Sequence, residues 1–254
     1  MNKTSILVTN DDGIYAPGIK ALWGAMSELG DVTVVAPNRE RSAVGHAITI
    51  SDPLRVDEVR RSNGFKGFSV DGTPSDCVKI ATQALLEEKP DIIVSGINLG
   101  SNTGTNIIYS GTVSAATEGT MLNIPSVAVS LNSFGESDFA GAKTAAKAVV
   151  SRVLEKGLPE KTFLNVNVPA IPEDEIKGYK ITQQGNVAFR DRFEKRVDPK
   201  GRVYYWMTGQ MIAPDEESHM DHNAVLDGYV SITPIHYRLT NHDFLDELMS
   251  WDFS

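Results

Sequence analysis

Ile6-Leu7-Val8-Thr9-Asn10-Asp11-Asp12-Gly13 is a short apolar run that stops on two adjacent carboxylates and a glycine. The run is too short and too apolar for an amphipathic helix. As a buried parallel strand it delivers Asn10, Asp11 and Asp12 to its carboxyl end, the rim where open α/β sheets keep their sites. Two anions about 4 Å apart repel by roughly 1 kcal/mol in bulk water and by about 4 kcal/mol at an effective dielectric of 20, so a partly buried acid pair calls for a cation. A divalent metal with oxygen ligands meets that need. Asn, Asp and Gly are equally the common turn residues, and the stretch by itself leaves turn and metal site both open.

Outward from this stretch, Ile19, Leu22, Trp23, Met26 and Leu29 recur at helical spacing, which predicts a helix over 17–29 opened by Pro17 and stopped by Gly30. Residues 31–37 read as a second strand whose polar exit loop brings Ser42 to the rim of Asp11. Between 48 and 70 the breakers Pro53 and Asn63-Gly64 predict short strands and turns. Thr73 as N-cap and Pro74 at the first position open a helix running to about residue 87. Residues 91–95 are the plainest strand, feeding a Gly- and Asn-rich loop over 96–106 that carries Asn98 and Asn102 and ends in Ser110-Gly111-Thr112. Long loops inside compact domains are functional or disordered. The small-residue helix expected over 113–119 points to order, since it can lie close to a sheet and offer its N-terminal amides to an anion. Strands over 126–131 and 163–168 and a helix over 140–154 complete the alternation. The expected fold is α/β, a three-layer Rossmann-like, mostly parallel sheet with helices on both faces.

From about residue 178 the rhythm changes. Extended stretches over 179–182 and 203–207 flank a charged segment, 190–196, and a turn, 198–201. We read them as a protruding C-terminal hairpin arm with Tyr204, Tyr205 and Trp206 exposed as subunit contacts, and Arg190 and Arg192 as solvated charges. A late strand over 229–235 and a helix over 243–251 finish the chain. The expected organisation is one domain over 1–254, its core about 1–177, with arm and tail over about 178–254 serving oligomerisation.

At 254 residues and 41% hydrophobic content the chain suits one large domain burying about 70–75% of its unfolded surface. A net charge of −9 argues against binding a nucleic-acid duplex, which needs clustered Lys and Arg; a small phosphorylated ligand held by metal and amides is compatible. Cys77, the one cysteine, excludes an intramolecular disulfide and a Cys-based zinc site. No apolar run approaches the roughly 20 residues of a membrane helix, so the chain reads as cytoplasmic with no membrane partner.

Asp11, Asp12, Ser42 and Asn98 thus converge on one rim as carboxylate, hydroxyl and carboxamide oxygens, ligands that suit Mg²⁺, Mn²⁺ or Ca²⁺ and suit Zn²⁺ or Cu²⁺ poorly. Ser110-Gly111-Thr112 at a helix N-terminus, with Asn102 nearby, can serve phosphate oxygens. The combination suggests phosphoryl chemistry. There is no P-loop, no Gly-x-Gly-x-x-Gly after the first strand and no Gly-x-Ser-x-Gly elbow. A receiver-like domain also carries an acid pair for Mg²⁺ but needs an acceptor aspartate where this chain has Asn98. His46, His219, His222 and His236 read as solvated or packing residues, and Asp221 as a cap for the turn before Tyr229 in preference to a residue supporting the site from behind.

Asp11-Asp12-Gly13 with its preceding strand, Ala36-Pro37 with Arg41-Ser42, Gly72-Thr73-Pro74-Ser75-Asp76-Cys77-Val78, Val94-Ser95-Gly96-Ile97-Asn98 continuing to Tyr109-Ser110-Gly111-Thr112-Val113, and Gly228-Tyr229-Val230-Ser231-Ile232-Thr233-Pro234 together resemble the survival protein SurE family. The resemblance spans nearly the whole chain. It implies a metal-dependent, acid-phosphatase-like 5′-nucleotidase that releases phosphate from nucleoside 5′- and 3′-monophosphates, and in some members from polyphosphate. It implies one divalent ion per subunit, Mg²⁺ or Mn²⁺ first, on Asp11, Asp12, Ser42 and Asn98. Asn102, Ser110, Gly111 and Thr112 match the phosphate-side loop, and His242 resembles a family histidine reached from the C-terminal segment. Asp11 as nucleophile and Asp11 as metal ligand alone both stay open. The resemblance also implies a homodimer or homotetramer that exchanges arm and tail. Asn38, Ser114 and Tyr237-Arg238 depart from the commoner pattern without removing a ligand. The alternative to an enzyme is a non-catalytic nucleotide or phosphate binder that regulates a partner.

Overall fold

The computed structural model describes residues 3–61, 64–133, 135, 137–212 and 217–253. The chain runs β1 (Ser5–Thr9), α1 (Pro17–Met26), β2 (Asp31–Pro37), β3 (Val56–Arg60), β4 (Lys66–Val70), α2 (Pro74–Ile80), β5 (Ile92–Leu99), α3 (Gly111–Met121), β6 (Ser126–Asn132) and α4 (Ala140–Lys156). It continues as β7 (Thr162–Pro169), β8 (Tyr179–Ile181), β9 (Ala188–Val197), β10 (Val203–Ile212), α5 (Asp221–Leu226), β11 (Val230–His236) and α6 (Leu245–Met249). The main sheet has the order β3-β4-β2-β1-β5-β6-β7-β11-β8. Strands β4 through β7 in that order are parallel, while β3 and β11 run antiparallel to β4 and β7. The expected α/β architecture is the one observed.

The two-residue alternation of the strands builds the layers. Ile6 and Val8 pack on one face with Ile19 and Leu22 of α1 and Ala145 and Val149 of α4. Leu7 packs on the other with Cys77 and Val78 of α2 and Ala115 of α3. Each fully buried Val, Leu or Ile contributes about 1.5–3 kcal/mol, and both faces of β1 are covered, as its unbroken apolar sequence requires. Because β1 pairs with β2 on one side and β5 on the other, strand order reverses there. The crevice beyond the ends of β1 and β5 is the topological switch point.

Several local expectations are adjusted. Helix α1 stops at Met26: Ser27 is its C-cap, the Ser27 hydroxyl joins its own amide on the Trp23 carbonyl, and Leu29 then closes a tighter turn on Met26. Helix α2 opens on a capping box, Thr73 Oγ1 accepting from the Asp76 amide and Asp76 Oδ2 from the Thr73 amide, and widens to a π turn over Ala81–Leu85. Strand β5 extends through Gly96 to Leu99, where a loop was expected. Its pairing with β6 resumes at Asn98 after a register shift, and Gly96, at φ +134°, allows an approach that would put a Cβ 2.2 Å from the Val129 carbonyl oxygen. Asn63 of the expected Asn63-Gly64 break lies outside the described residues.

The hairpin arm is real but differently composed. The charged segment 190–196 is itself strand, paired antiparallel with β10 from Val203↔Val197 to Ile212↔Ala188. Its alternating Arg, Phe and Glu hid that, since both faces are largely exposed. Tyr204, Tyr205 and Trp206 are exposed, as expected. Tyr179–Ile181 belongs instead to the main sheet, on β11, so the sheet takes in residues beyond 177. Among the described residues no helix is long and apolar enough to cross a membrane.

Candidate active site

The turn after β1 and the candidate site are one object. Asn10 closes the turn, Nδ2 donating to the Gly13 carbonyl at 3.0 Å and Oδ1 accepting the Gly13 amide at 3.2 Å. Gly13 sits at φ +97°, where a Cβ would also meet the Arg39 carbonyl carbon at 3.1 Å. With Asn10 engaged in the turn, both carboxylates are available to other partners.

Asp11 is buried at the start of α3. The Thr112 hydroxyl donates to its Oδ1 at 2.5 Å, and the Thr112 and Gly111 amides also donate to the carboxylate, the placement that a helix N-terminus favours for an anion. Burial nevertheless outweighs these bonds and pushes the carboxyl above its ordinary range. Gly111 is what lets the two elements meet: a Cβ there would lie 2.7 Å from Asp11 Cβ and 3.0 Å from its Oδ2. Asp12 is half-buried, and its carboxyl is pushed up to about 7 by burial and by the charges of Asp11 and Glu40, against one donated amide from Leu99. The loop after β2 is tied to the same place, the Arg41 amide donating to the Asp11 carbonyl at 2.7 Å. Ser42 is exposed beside it, its hydroxyl donating to Glu40 Oε1 at 2.7 Å. Asn98 donates from Nδ2 to the Gly100 carbonyl at 2.7 Å, which turns its Oδ1 to other uses.

Among the described residues no three His, Cys, Asp or Glu side chains form a metal cluster. The candidate donors Asp11, Asp12, Ser42 and Asn98 are two carboxylates, a hydroxyl and a carboxamide oxygen, and burial first, then the charges of Asp11 and Glu40, raise the Asp12 carboxyl. Those residues fit a hard divalent cation.

On the phosphate side the residues predicted from the sequence are more engaged than expected. Ser110 is the N-cap of α3, its Oγ accepting the Val113 amide at 3.1 Å, and Thr112 is committed to Asp11. Asn102 is buried, its Nδ2 donating to Ser130 Oγ at 2.8 Å and its main chain held by Asn165 and Asn167. The rest of this loop is pinned by residues far along the chain. Asp221 accepts the Gly104 amide on Oδ2 at 2.9 Å and the Gly185 amide on Oδ1 at 3.0 Å, Val187 accepts the Thr105 amide at 2.9 Å, and Thr103 bonds His222 at 3.3 Å. Asp221 is therefore the first residue of α5 rather than its cap, a staple between this loop and the base of the arm. Burial pushes its carboxyl up against the amides of Gly104, Gly185 and His222.

Sequence reasoning missed Asn165, Asn167 and Ser130 in this role, and for Asp221 preferred a cap to a place behind the site. The available signal was Asn-Val-Asn inside a strand that had to be buried on both faces. His46 is not merely solvated: its Nε2 bonds Glu118 of α3 at 2.8 Å, and Lys79 of α2 reaches the same carboxylate at 2.7 Å. His242 is exposed on a 3-10 turn, His242–Phe244, capped by Asn241 and continuous with α6. The hydrogen bonds around Asp11 within one chain do not include it.

The model of the family described as survival protein SurE matches residues 6–191. Proteins named 5′-nucleotidase SurE are similar over nearly their full lengths: one from Syntrophobacter fumaroxidans is 49% identical over 97% of this chain and 99% of its own. One from Geobacter sulfurreducens is 50% identical over 98% and 94%. The crystal structure of the SurE protein from Aquifex aeolicus superposes with a TM-score of 0.83 at 43% identity, covering 96% of this chain and 98% of that one. With the acid pair at the switch point and the Ser-Gly-Thr turn opening α3, the chain belongs to the survival protein SurE family.

Proposed function

We propose that this chain is a divalent-metal-dependent 5′-nucleotidase, a phosphoric monoester hydrolase that converts nucleoside 5′- and 3′-monophosphates to nucleoside and phosphate. The observation that carries the reading is the buried Asp11, which faces the first amides of α3, with the half-buried Asp12 next to it at the switch point. The name 5′-nucleotidase borne by relatives about half identical over their full length agrees with it. Asp11, Asp12, Ser42 and Asn98 would hold the ion, Mg²⁺ or Mn²⁺. Bound there, such an ion supplies charge neutralisation at a phosphate oxygen and an acidified water.

The chain's own groups do the rest. The Thr112 hydroxyl and the amides of Gly111 and Thr112 fix the Asp11 carboxylate, so its position is set before substrate arrives. Asn102, held from behind, presents its carboxamide to the phosphate, and the start of α3 biases the crevice towards anions. The exposed aromatic arm and tail suit contact with a second copy, giving a dimer or tetramer with exchanged C-terminal elements. The single buried cysteine, Cys77, accords with a cytoplasmic enzyme.

The test is phosphate release from 5′- and 3′-AMP, GMP and polyphosphate after chelation, with Mg²⁺, Mn²⁺, Ca²⁺ or Zn²⁺ restored separately and Asp12→Ala as control. Metal-dependent turnover that Asp12→Ala abolishes is expected. Saturable nucleotide binding without turnover under every metal would replace the enzyme with a regulatory binder.

A further inference from the structure

Strand β7 carries two asparagines where its packing calls for apolar side chains. Leu164, Val166 and Val168 pack on the α1/α4 face of the sheet, while Phe163, on the alternate face, packs with Val113 and Ala116 of α3. Asn165 and Asn167 continue the Phe163 face and are fully buried. Buried carboxamides need hydrogen-bond partners; here Asn102 serves both ends of Asn167 and the Nδ2 of Asn165, while Asn165 Oδ1 is buried without a partner among the described residues. Asn167 Oδ1 accepts the Asn102 amide at 2.7 Å, and Asn167 Nδ2 donates to the Asn102 carbonyl at 3.1 Å. Asn165 Nδ2 donates to that same carbonyl at 2.8 Å. A planar carboxamide offers one donor and one acceptor side by side, so Asn167 acts towards Asn102 as a neighbouring strand would, in a loop that has none. Ser130 of β6 then takes one N–H of the Asn102 side chain at 2.8 Å. On the nucleotidase reading, the second N–H of that carboxamide would serve a phosphate oxygen.

We infer that Asn167 and Ser130 are positioning residues for the phosphate-side loop: Asn167 sets the main chain of Asn102 and Ser130 sets the plane of its carboxamide. Neither touches the metal donors Asp11, Asp12, Ser42 or Asn98. The two asparagines of β7 are therefore part of the site's construction, placed one layer behind the residue they direct. The inference rests on the nucleotidase reading for its substrate and on the hydrogen bonds for its geometry.

The test compares wild type with Ser130→Ala and Asn167→Leu. Each is checked by melting temperature, by calorimetric titration of Mn²⁺, by titration of inorganic phosphate into the Mn²⁺-loaded protein, and by KM and kcat for AMP. Asn167→Leu is expected to weaken phosphate binding and raise KM about tenfold, and Ser130→Ala about threefold to tenfold, with Mn²⁺ affinity within twofold of wild type. In an Asn102→Ala background Ser130→Ala should add less than twofold, because the group it directs is gone. Ser130→Ala keeps the strand and its packing, so it reads the inference even where Asn167→Leu fails to fold. A folded Ser130→Ala with unchanged phosphate affinity and KM overturns the inference, as does parallel loss of Mn²⁺ and phosphate binding. Wild type without turnover would overturn the nucleotidase reading separately, because the phosphate titrations still report on the loop.

Discussion

Replacing Asp12 by Asn should make the metal-free protein more stable while removing its function. The substitution keeps the size of the side chain and deletes one charge of a crowded pair. Burial first, then Asp11 and Glu40, push the Asp12 carboxyl from 3.8 up to about 7. A carboxyl with a raised folded pKa is no burden while protonated: its contribution is intact below about pH 3.8 and is lost as pH rises through about 7. About three units at roughly 1.4 kcal/mol each amount to about 4 kcal/mol. Asp12 is partly open to solvent, and screening reduces this to about 2 kcal/mol. In a chain of this length 1 kcal/mol moves the melting temperature by about 2–4 °C, so Asp12→Asn should melt roughly 4–8 °C above wild type at pH 8 in chelator. The gap should close towards pH 4. Added Mg²⁺ or Mn²⁺ should close it from the other direction, raising wild type alone. Scanning calorimetry in EDTA between pH 4 and 8 checks this. Equal melting temperatures at pH 8, or a gap that persists unchanged to pH 4, would refute the claim that the pair is held apart from its preferred charge state.

Gly111→Ala places a methyl 2.7 Å from Asp11 Cβ and 3.1 Å from Pro74 Cγ. Displacing the carboxylate by about an ångström should lower kcat/KM by about a hundredfold, with circular dichroism unchanged; activity within threefold of wild type would contradict the assigned contact. Glu118→Gln removes a buried charge shared by His46 and Lys79. Burial opposes ionisation there, but the hydrogen bonds from His46 and Lys79 prevail and hold the Glu118 carboxyl below its ordinary 4.5. Its contribution is present above that value and is lost as pH falls through the lowered one. The variant should be about 1–2 kcal/mol less stable at pH 7, with the difference shrinking in acid; urea denaturation at pH 7 and pH 4 measures both.

The sequence was most readable where local chemistry and tertiary demand agree. The run Ile6 to Val8 is apolar because both its faces are covered, and Thr73-Pro74 opens a helix by the capping rules alone. Asp11 and Asp12 were legible because they follow β1 almost directly, whereas Ser42 lies five residues past the end of β2 and Asn98 inside β5. Reading failed where long-range pairing overrides composition. Gly96 to Leu99 looks like loop but is strand, since β6 supplies its partners across a bulge. The charged run of β9 obeys the same logic, its partner β10 lying across the turn. Asn165, Asn167 and Asp221 hold a loop some 60 to 117 residues earlier, a connection no window of local sequence displays. His242 was placed by its motif alone, and among the described residues it stands exposed on the tail's 3-10 turn.

The position of β11 bears on how the molecule is made. It is the last strand of the chain, yet it lies inside the sheet, between β7 and β8. Until residue 236 has been synthesised, β7 therefore presents an open edge of unpaired amides and carbonyls from Thr162 to Asn167. A nascent or truncated chain ending near residue 177 would hold Asp11, Asp12, Ser42 and Asn98 and still expose that edge to other chains. The last strand thus closes the sheet against aggregation, and the C-terminal third cannot be trimmed as an appendage even though arm and tail lie on the surface.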